Sequence, residues 1–336
     1  MKKWFTLLAM ALMAVGANAQ DFLPVVIDET NFPDAAFRKY VGYQYDKNQD
    51  GILNDEEISE AMSMFLFDGD ISDVKGIEFL TALQQLYCTG SQIESLDLSK
   101  CEALTTIECY DNSKLSTLDV SGCKALTSLN CSGGQLTSLD ITNLASLTSL
   151  NCTYNALTSL DVSQNTELHD IRCSNNQLTN LDVTHNGKLV ELFCTDNQLT
   201  KIDLSQNVEL KTLYCWGNQL TSLDVSKNPN ITSIQCYSNH IGEVEMKAFV
   251  ESLPTVTEGL YRFLTVTETA DDNEGNEMND ELAAIVNDKG WFVLDRSGEY
   301  YGMDPMDLRN EFTVKTEEGV EMWISIISKE IGRAHV

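Results

Sequence analysis

A phrase of about 21 residues recurs along most of this chain, and it limits the possible fold more than any other feature. Its consensus is L-x-x-L-x-C-x-x-N-x-L-x-x-L-D-V-S-x-N-x-x. A fixed period in this range, with leucines at this spacing, indicates a solenoid in which each repeat forms one coil stacked on the next. The cysteine column of the repeat contains Cys88, Cys109, Cys131, Cys152, Cys173, Cys194, Cys215 and Cys236.

Each coil divides into two similar halves, of which residues 147–152 and 157–162 are one pair. Both halves alternate between apolar and polar residues as strands do, and neither is long enough for a helix. We therefore predict a predominantly β solenoid with one strand ladder on each side and with leucine and cysteine inside. An inward ladder of asparagines is expected to satisfy backbone groups of the turns, and it comprises Asn155, Asn176, Asn197, Asn218 and Asn239.

The chain divides into five predicted segments. Residues 1–19 carry two lysines, an apolar stretch and an Ala-Asn-Ala motif, which together predict a secretory signal peptide and an exported protein. Residues 20–60 are predicted to form a helical cap, residues 61–244 the solenoid, and residues 245–296 an α+β C-terminal cap. Residues 297–336 are predicted to be a linker and the truncated start of a further β region. Within them, residues 330–336 resemble a translated sequencing adaptor, so we expect the natural chain to continue.

The net charge limits the possible partners, and the pattern of cysteines limits the possible disulfides. A formal net charge of −29 argues against nucleic acid and anionic lipid as partners, and no later segment predicts membrane insertion. Ten cysteines in an exported chain usually form disulfides. Here eight replace an inward leucine, and their parallel side chains lack the converging geometry of a disulfide. We expect ten thiols, with Cys101 and Cys123 as the one pair left open.

One local motif has the spacing of a twelve-residue EF-hand loop. Gly51 allows the sharp turn at its sixth position, and Leu53 supplies the apolar eighth position. The oxygen ligands expected for Ca²⁺, the predicted structural cofactor, are those of Asp46, Asn48, Asp50, Ile52 through its carbonyl, Asn54 and Glu57. The ion would brace the N-terminal cap over the first coil. The alternative is a polar helix–turn–helix without metal.

A column of aspartates lies in the second halves of the coils. Each is followed two residues later by a serine or threonine whose hydroxyl can donate a hydrogen bond. The column therefore predicts either a hydrogen-bonded surface ladder or a row of cation sites. In either case acidification should relieve the repulsion between neighbouring carboxylates. Its members are Asp97, Asp119, Asp140, Asp161, Asp182, Asp203 and Asp224.

The outward residues beside each cysteine differ from coil to coil and become aromatic in the last three coils. We predict a ligand-binding face there, because exposed aromatic side chains often mark an interface. Cross-strand packing or contact with the C-terminal cap would explain the same residues. The predicted face consists of Phe193, Tyr214, Trp216 and Tyr237, with Arg172 and Tyr154 nearby. No catalytic motif occurs, so the chain is predicted not to be an enzyme.

The repeat resembles bacterial leucine-rich repeats of the 21-residue, IRREKO-type class, which are common in gut Bacteroidetes. The Cys of the L-x-C position and the L-D-V-S-x-N half carry this resemblance. The EF-hand-like segment resembles the cap that precedes such repeats, and residues 312–322 resemble the entry to BspA-like repeats of surface proteins. The resemblance implies secretion or surface display and binding to proteins or matrix.

The predicted function is therefore that of a secreted or surface-exposed, calcium-stabilised binding protein for a protein or glycan partner. One alternative is the targeting module of an enzyme whose catalytic domain lies beyond residue 336. Another is a passive stalk.

Overall fold

The computed structural model describes residues 24–67, 69–256, 262–267 and 274–296. The predicted signal peptide, the predicted linker and the BspA-like segment lie outside the described residues. Its strands are β1 (Val25–Val26), β2 (Ile52–Leu53), β3 (Ser63–Leu66), β4 (Gln85–Cys88), β5 (Ser95–Asp97), β6 (Thr106–Glu108), β7 (Thr117–Asp119), β8 (Ser128–Asn130), β9 (Ser149–Asn151), β10 (Asp170–Arg172), β11 (Glu191–Phe193), β12 (Thr212–Tyr214), β13 (Ser233–Gln235), β14 (Phe263–Thr267) and β15 (Phe292–Asp295). Its α-helices are α1 (Ala35–Gln44), α2 (Asp55–Glu60), α3 (Glu243–Ser252) and α4 (Asp280–Asp288), and Ile77–Phe79 forms a 3-10 turn.

One parallel sheet of eleven strands runs through the described chain in the order β3-β4-β6-β8-β9-β10-β11-β12-β13-β14-β15. Equivalent residues of successive coils pair in register, as Leu150, Ile171 and Leu192 do. These central residues are fully buried, whereas their neighbours on each strand are only half-buried. The predicted leucine-rich-repeat solenoid is confirmed, and its apolar columns form one continuous core.

The second predicted ladder is much smaller than expected. Within the described ranges it consists of β5 and β7 alone. Later coils are joined on that side by single bonds such as that from the Gln177 backbone N–H to the Leu157 carbonyl, 2.9 Å. In those coils each aspartate side chain accepts the backbone N–H two residues ahead, as Asp161 does from Ser163. The same bond occurs at Asp97 of β5 and at Asp119 of β7, so it does not by itself prevent a strand ladder.

Two asparagine ladders tie the coils together. In the first, which includes the five predicted asparagines, the Asn176 amide donates to the carbonyls of Cys152 and Cys173 at 3.0 and 3.1 Å. Its oxygen accepts from the Leu157 N–H at 2.9 Å. Asn276 of the C-terminal region makes the same kind of bonds, so the ladder continues past the repeats. The second ladder, fully buried, consists of Asn165, Asn186, Asn207 and Asn228.

The residues after the last repeat extend the solenoid. Strands β14 and β15 are the final strands of the main sheet, and α3 and α4 pack against each other beside them. The helices bury Met246, Phe249, Val250, Leu282 and Val286. This part of the chain thus closes the apolar interior while keeping the direction of the sheet. Among the described residues, no helix has the length and apolarity needed to cross a membrane.

Candidate binding face

The outward side chains of the eleven-stranded sheet form a single surface, which we call the strand face. It is built by alternation: a leucine or isoleucine and a cysteine point inward, and the residues on either side of the cysteine point outward. Since the interior columns account for the packing, the outward residues are not required by the fold. They are therefore the positions at which a binding site can be placed without disturbing the coils.

Four of the predicted ligand-binding residues form a C-terminal aromatic cluster: Phe193, Tyr214, Trp216 and Tyr237. The rings of Phe193 and Tyr214 meet edge to face at 5.0 Å, and those of Trp216 and Tyr237 stack at 5.2 Å. Arg296 lies 5.4 Å from the Tyr237 ring and 6.0 Å from the Trp216 ring. Because Tyr237 is only 5% exposed, this ring is engaged by the C-terminal region, which is one of the alternatives that the sequence left open.

Arg172 borders this cluster and is held by three neighbours. Its guanidinium contacts Asp170 at 3.0 Å and Glu191 at 2.9 Å, and it lies 4.3 Å from the centre of the Phe193 ring. Two carboxylates thus offset its positive charge. The sixth predicted residue, Tyr154, lies apart from the cluster: it is 63% exposed and has a left-handed backbone with φ of 55°.

A second aromatic cluster lies at the other end of the strand face, where the sequence analysis did not place one. Phe65 and Phe67 are 46% and 64% exposed, and the Phe65 ring stacks on Tyr87 at 5.0 Å. We call Phe65, Phe67 and Tyr87 the N-terminal aromatic cluster. The signal was present in the sequence, since Phe65 and Phe67 flank Leu66, which occupies the cysteine position of the irregular first coil.

A shallow groove of about 440 Å³ lies between the two clusters, and we call it the middle groove. Tyr110 and Tyr154 stand at opposite sides of it. Its lining residues are Tyr110, Asp111, Asn130, Ser132, Asn151, Thr153, Tyr154 and Arg172. Of these residues, Tyr154 and Arg172 were predicted from the sequence, and the polar residues of the preceding coils were not.

The EF-hand-like segment lies between two helices. It joins α1 to α2, and Gly51 has a φ of 79°, in the left-handed region that its turn requires. Ile52 and Leu53 form β2, which pairs antiparallel with β1, and Leu53 is fully buried. The loop is therefore anchored at its seventh and eighth positions by a strand pair.

The predicted oxygen ligands of this loop accept backbone hydrogen bonds in the structure. Asp46 accepts from Gly51 at 2.9 Å, and Glu57 accepts from Lys47 at 2.9 Å and from Asn54 at 3.0 Å. Within the described ranges, no three His, Cys, Asp or Glu side chains converge closely enough to hold a metal ion. The donor chemistry suits Ca²⁺, but Glu57 would have to exchange these N–H groups for the ion, so calcium binding stays a prediction.

The aspartate column is exposed, and each member bonds within its own coil. Asp140 accepts from the hydroxyl of Thr142 at 2.7 Å and from its backbone N–H at 3.0 Å. These bonds, the hydroxyl first, lower the pKa of the Asp140 carboxyl. Hydrogen bonds from the residue two positions ahead also lower the pKa of four further carboxyls in the column, those of Asp97, Asp161, Asp182 and Asp203. The column is therefore hydrogen-bonded, but each bond lies within one coil and none joins two coils in the bonds described above.

Acidification is therefore expected to destabilise the folded chain, because the hydrogen bonds that lower these pKa values outweigh the repulsion between neighbouring aspartates that acidification relieves. A carboxyl whose pKa is lower in the folded state than its unfolded value of about 3.9 contributes stability above that pH. This contribution is lost as the pH falls through the folded pKa. Urea denaturation between about pH 6 and pH 3 should show the free energy of unfolding falling with pH. The variant Asp140→Asn/Asp161→Asn/Asp182→Asn should reduce the slope of this free energy against pH.

A matched variant separates this ladder from the general effect of acidic residues. Glu209→Asn removes one exposed carboxylate outside the column and should leave most of the slope in place. If the triple variant and the parent chain lose stability equally as the pH falls, the hydrogen-bonded aspartates are not the source.

All ten cysteines are buried and are present as thiols. Burial raises the pKa of Cys101, Cys123 and Cys152 to about 12. The Cys101 and Cys123 thiols donate to carbonyls of the preceding coils instead of to each other. They occupy the column that later coils fill with the second asparagine ladder, which donates to equivalent carbonyls.

Comparison with known proteins places these features in context. A family model of the leucine-rich-repeat domain of the endo-β-N-acetylglucosaminidase EndoS matches residues 32–165. Internalin J of Listeria monocytogenes is 38% identical over 69 residues, which are 20% of this chain and 8% of that protein. A solved structure described as the functional domain of internalin J, including a cysteine ladder, is 30% identical with a TM-score of 0.54.

That match covers 79% of this chain and 65% of the internalin J domain. Internalin C2 of Listeria monocytogenes has 22% identity and a TM-score of 0.55, over 66% of this chain and 99% of that one, and it supports the fold alone. The chain spans less than two thirds of the internalin J relatives that it matches. It carries a leucine-rich-repeat domain with the solenoid fold of bacterial internalins.

Proposed function

We propose that this chain is a secreted or surface-exposed, non-catalytic binding protein that holds a protein partner on its strand face. The observation that carries the proposal is the set of exposed aromatic rings on a face that the core does not need. Phe65 and Phe67 are large apolar side chains that are 46% and 64% exposed beside Tyr87. Interfaces concentrate aromatic anchors of this kind, and contiguous exposed apolar groups mark binding surfaces.

The two aromatic clusters would have different roles in such an interface. The rings of the N-terminal cluster can be desolvated by a partner, because they are open to solvent. In the C-terminal cluster, Tyr237 is already buried, while Phe193, Tyr214 and Trp216 are half-buried. We therefore assign the larger share of the binding free energy to Phe65 and Phe67, and a smaller share to the three half-buried rings.

The test is a binding screen of the full chain against an array of purified extracellular-matrix and cell-surface proteins. A partner should bind, and the double variant Phe65→Ser/Phe67→Ser should weaken its affinity by at least about tenfold, since truncating an anchor costs roughly 2 kcal/mol. The triple variant Phe193→Ala/Tyr214→Ala/Trp216→Ala should weaken it less. Both losses are read as changes in Kd by surface plasmon resonance.

Tyr43→Ser is the matched control, because this ring is exposed on α1 and lies off the strand face. It should leave the Kd unchanged. A partner whose affinity survives both aromatic variants would show that the strand face is not the interface, and an array without any binder would refute protein binding.

A second candidate is the targeting module of an enzyme. The match of residues 32–165 to the leucine-rich-repeat domain of an endoglycosidase favours it. The complete reading frame of the locus tests it, because the candidate requires a catalytic domain continuous with this chain. A complete frame without such a domain would remove this candidate and leave the binding proposal standing.

We also propose that Ca²⁺ binds the EF-hand-like loop and stabilises the N-terminal cap. The support is the oxygen donor set and the left-handed Gly51 turn. CaCl₂ at about ten times the Kd should raise the free energy of unfolding by about 1.4 kcal/mol, measured by urea denaturation. Asp50→Ala should abolish the effect, whereas Asp55→Ala, outside the ligand positions, should preserve it. Equal stability with CaCl₂ and with EGTA would contradict the proposal.

A further inference from the structure

One coil of the middle groove contains two consecutive glycines. Gly133 has a φ of 73°, and a Cβ added there would lie 2.8 Å from the Asp111 carboxylate; one added at Gly134 would lie 2.9 Å from the Asn155 side-chain oxygen. The equivalent positions in the next coil are Tyr154 and Asn155. Gly133 thus has no side chain in the outward column between Asp111 and Tyr154, which both line the groove, whereas Gly134 lies in the inward asparagine column.

The middle groove is lined by polar groups that are available to a ligand. The Asn151 side-chain oxygen accepts the Thr153 backbone N–H at 3.1 Å, which orients the amide. Within the described ranges, the Asn151 amide N–H₂ and the hydroxyls of Thr153, Tyr110 and Tyr154 make no hydrogen bond to another residue. The groove therefore offers several hydrogen-bonding groups on short or rigid side chains, together with the apolar surface of its two tyrosine rings.

Two exposed tyrosine rings flank the groove. Tyr110 and Tyr154 belong to coils two apart in the ladder, so their strands are separated by about 10 Å. Tyr154 is held in a left-handed backbone conformation that is unfavourable for a bulky residue. The equivalent residues in other coils are small or short and polar: Gly90, Asp111, Gly133, Asn175, Asp196, Gly217 and Ser238. Nothing in the packing of the coil requires a ring at this position.

The charges around the groove argue against an anionic ligand. Arg172 is the only basic lining residue, and it is bound to Asp170 and Glu191. Asp111 adds a carboxylate to the lining, and the chain as a whole carries −29. A protein side-chain anchor would instead require a desolvated pocket, whereas this groove is open to solvent.

We propose that the middle groove binds a neutral oligosaccharide. Sugar hydroxyls match the amide, hydroxyl and carboxylate groups of the floor, and the C–H faces of pyranose rings stack on exposed tyrosines. The distance between the strands of Tyr110 and Tyr154 suits a di- or trisaccharide lying across the coils. This site adjoins the C-terminal aromatic cluster at Arg172 but includes no ring of either aromatic cluster, so either proposal can fail without the other.

The experiment uses the full chain and four neutral probes: cellotriose, maltotriose, mannotriose and triacetylchitotriose. Saturation-transfer NMR and calorimetry should detect at least one of them at millimolar concentration. Tyr154→Gly removes the ring and relieves the backbone, so it should weaken binding at least tenfold without lowering the Tm. Tyr110→Ala should also weaken it. Asn175→Gly, at the same position of the next coil and outside the groove, should leave the affinity unchanged.

Three outcomes would overturn the proposal. The first is that none of the four probes binds at millimolar concentration. The second is binding that survives both tyrosine variants, which would place the sugar elsewhere. The third is tighter binding of polygalacturonate than of any neutral probe, which would contradict the inference from charge. Protein binding is scored separately with Phe65→Ser/Phe67→Ser, which should retain saccharide binding.

Discussion

Replacing Asn176 with alanine is expected to lower the free energy of unfolding by about 3 kcal/mol, because several buried backbone groups would lose their partner at once. The Asn176 amide donates to the carbonyls of Cys152 and Cys173, and its oxygen accepts from the Leu157 N–H. Water cannot replace these bonds without entering the core, since the cysteines and the leucine are fully buried.

Urea denaturation measures this loss, and Gln177→Ala is its matched control. Gln177 is adjacent but exposed, so its truncation should change stability by less than about 0.5 kcal/mol. Asn176→Asp should be at least as destabilising as alanine, because a carboxylate would replace the two donated bonds with repulsion from carbonyl oxygens. If Asn176→Ala and Gln177→Ala were equally stable, the first asparagine ladder would not hold adjacent coils together.

The interior of the solenoid could be predicted from the sequence because its columns repeat. A leucine column, a cysteine column and an asparagine column at one period have few arrangements that bury all of them. Asn276 was not predicted to extend the ladder, since it lies outside the repeats and reaches Cys236 only through the fold. Periodicity is therefore informative about the coils and uninformative about the residues that cap them.

The second ladder and the exposed surface were harder to predict. Alternation suggested strands on both sides, but within the described ranges only β5 and β7 pair on the second side. The exposure of each aromatic ring depends on neighbours that are distant in sequence. Tyr237 is covered because Arg296 lies against it, whereas nothing described covers Phe67, and no local pattern distinguishes the two.

The ten thiols of the native chain are expected to be nearly inert to DTNB, and all ten should react after denaturation without reductant. An exposed cysteine at about pH 8 is roughly one quarter thiolate. The pKa of Cys152, raised to about 12 by burial, reduces that fraction to about one in ten thousand. Reagent must also reach a fully buried sulfur, which requires local opening of the coils.

An exposed thiol on the same solenoid provides the control for this experiment. Thr137→Cys introduces one at an exposed position, and it should react at the rate of a free cysteine while the native ten remain silent. Fast labelling of the parent chain would show that the coils open readily and that the cysteine column is not a stable part of the core. Fewer than ten thiols in the denatured, unreduced chain would reveal a disulfide. Since Cys101 and Cys123 are the neighbouring pair outside the main cysteine column, the double variant Cys101→Ser/Cys123→Ser would then identify it by restoring a full count of the remaining eight.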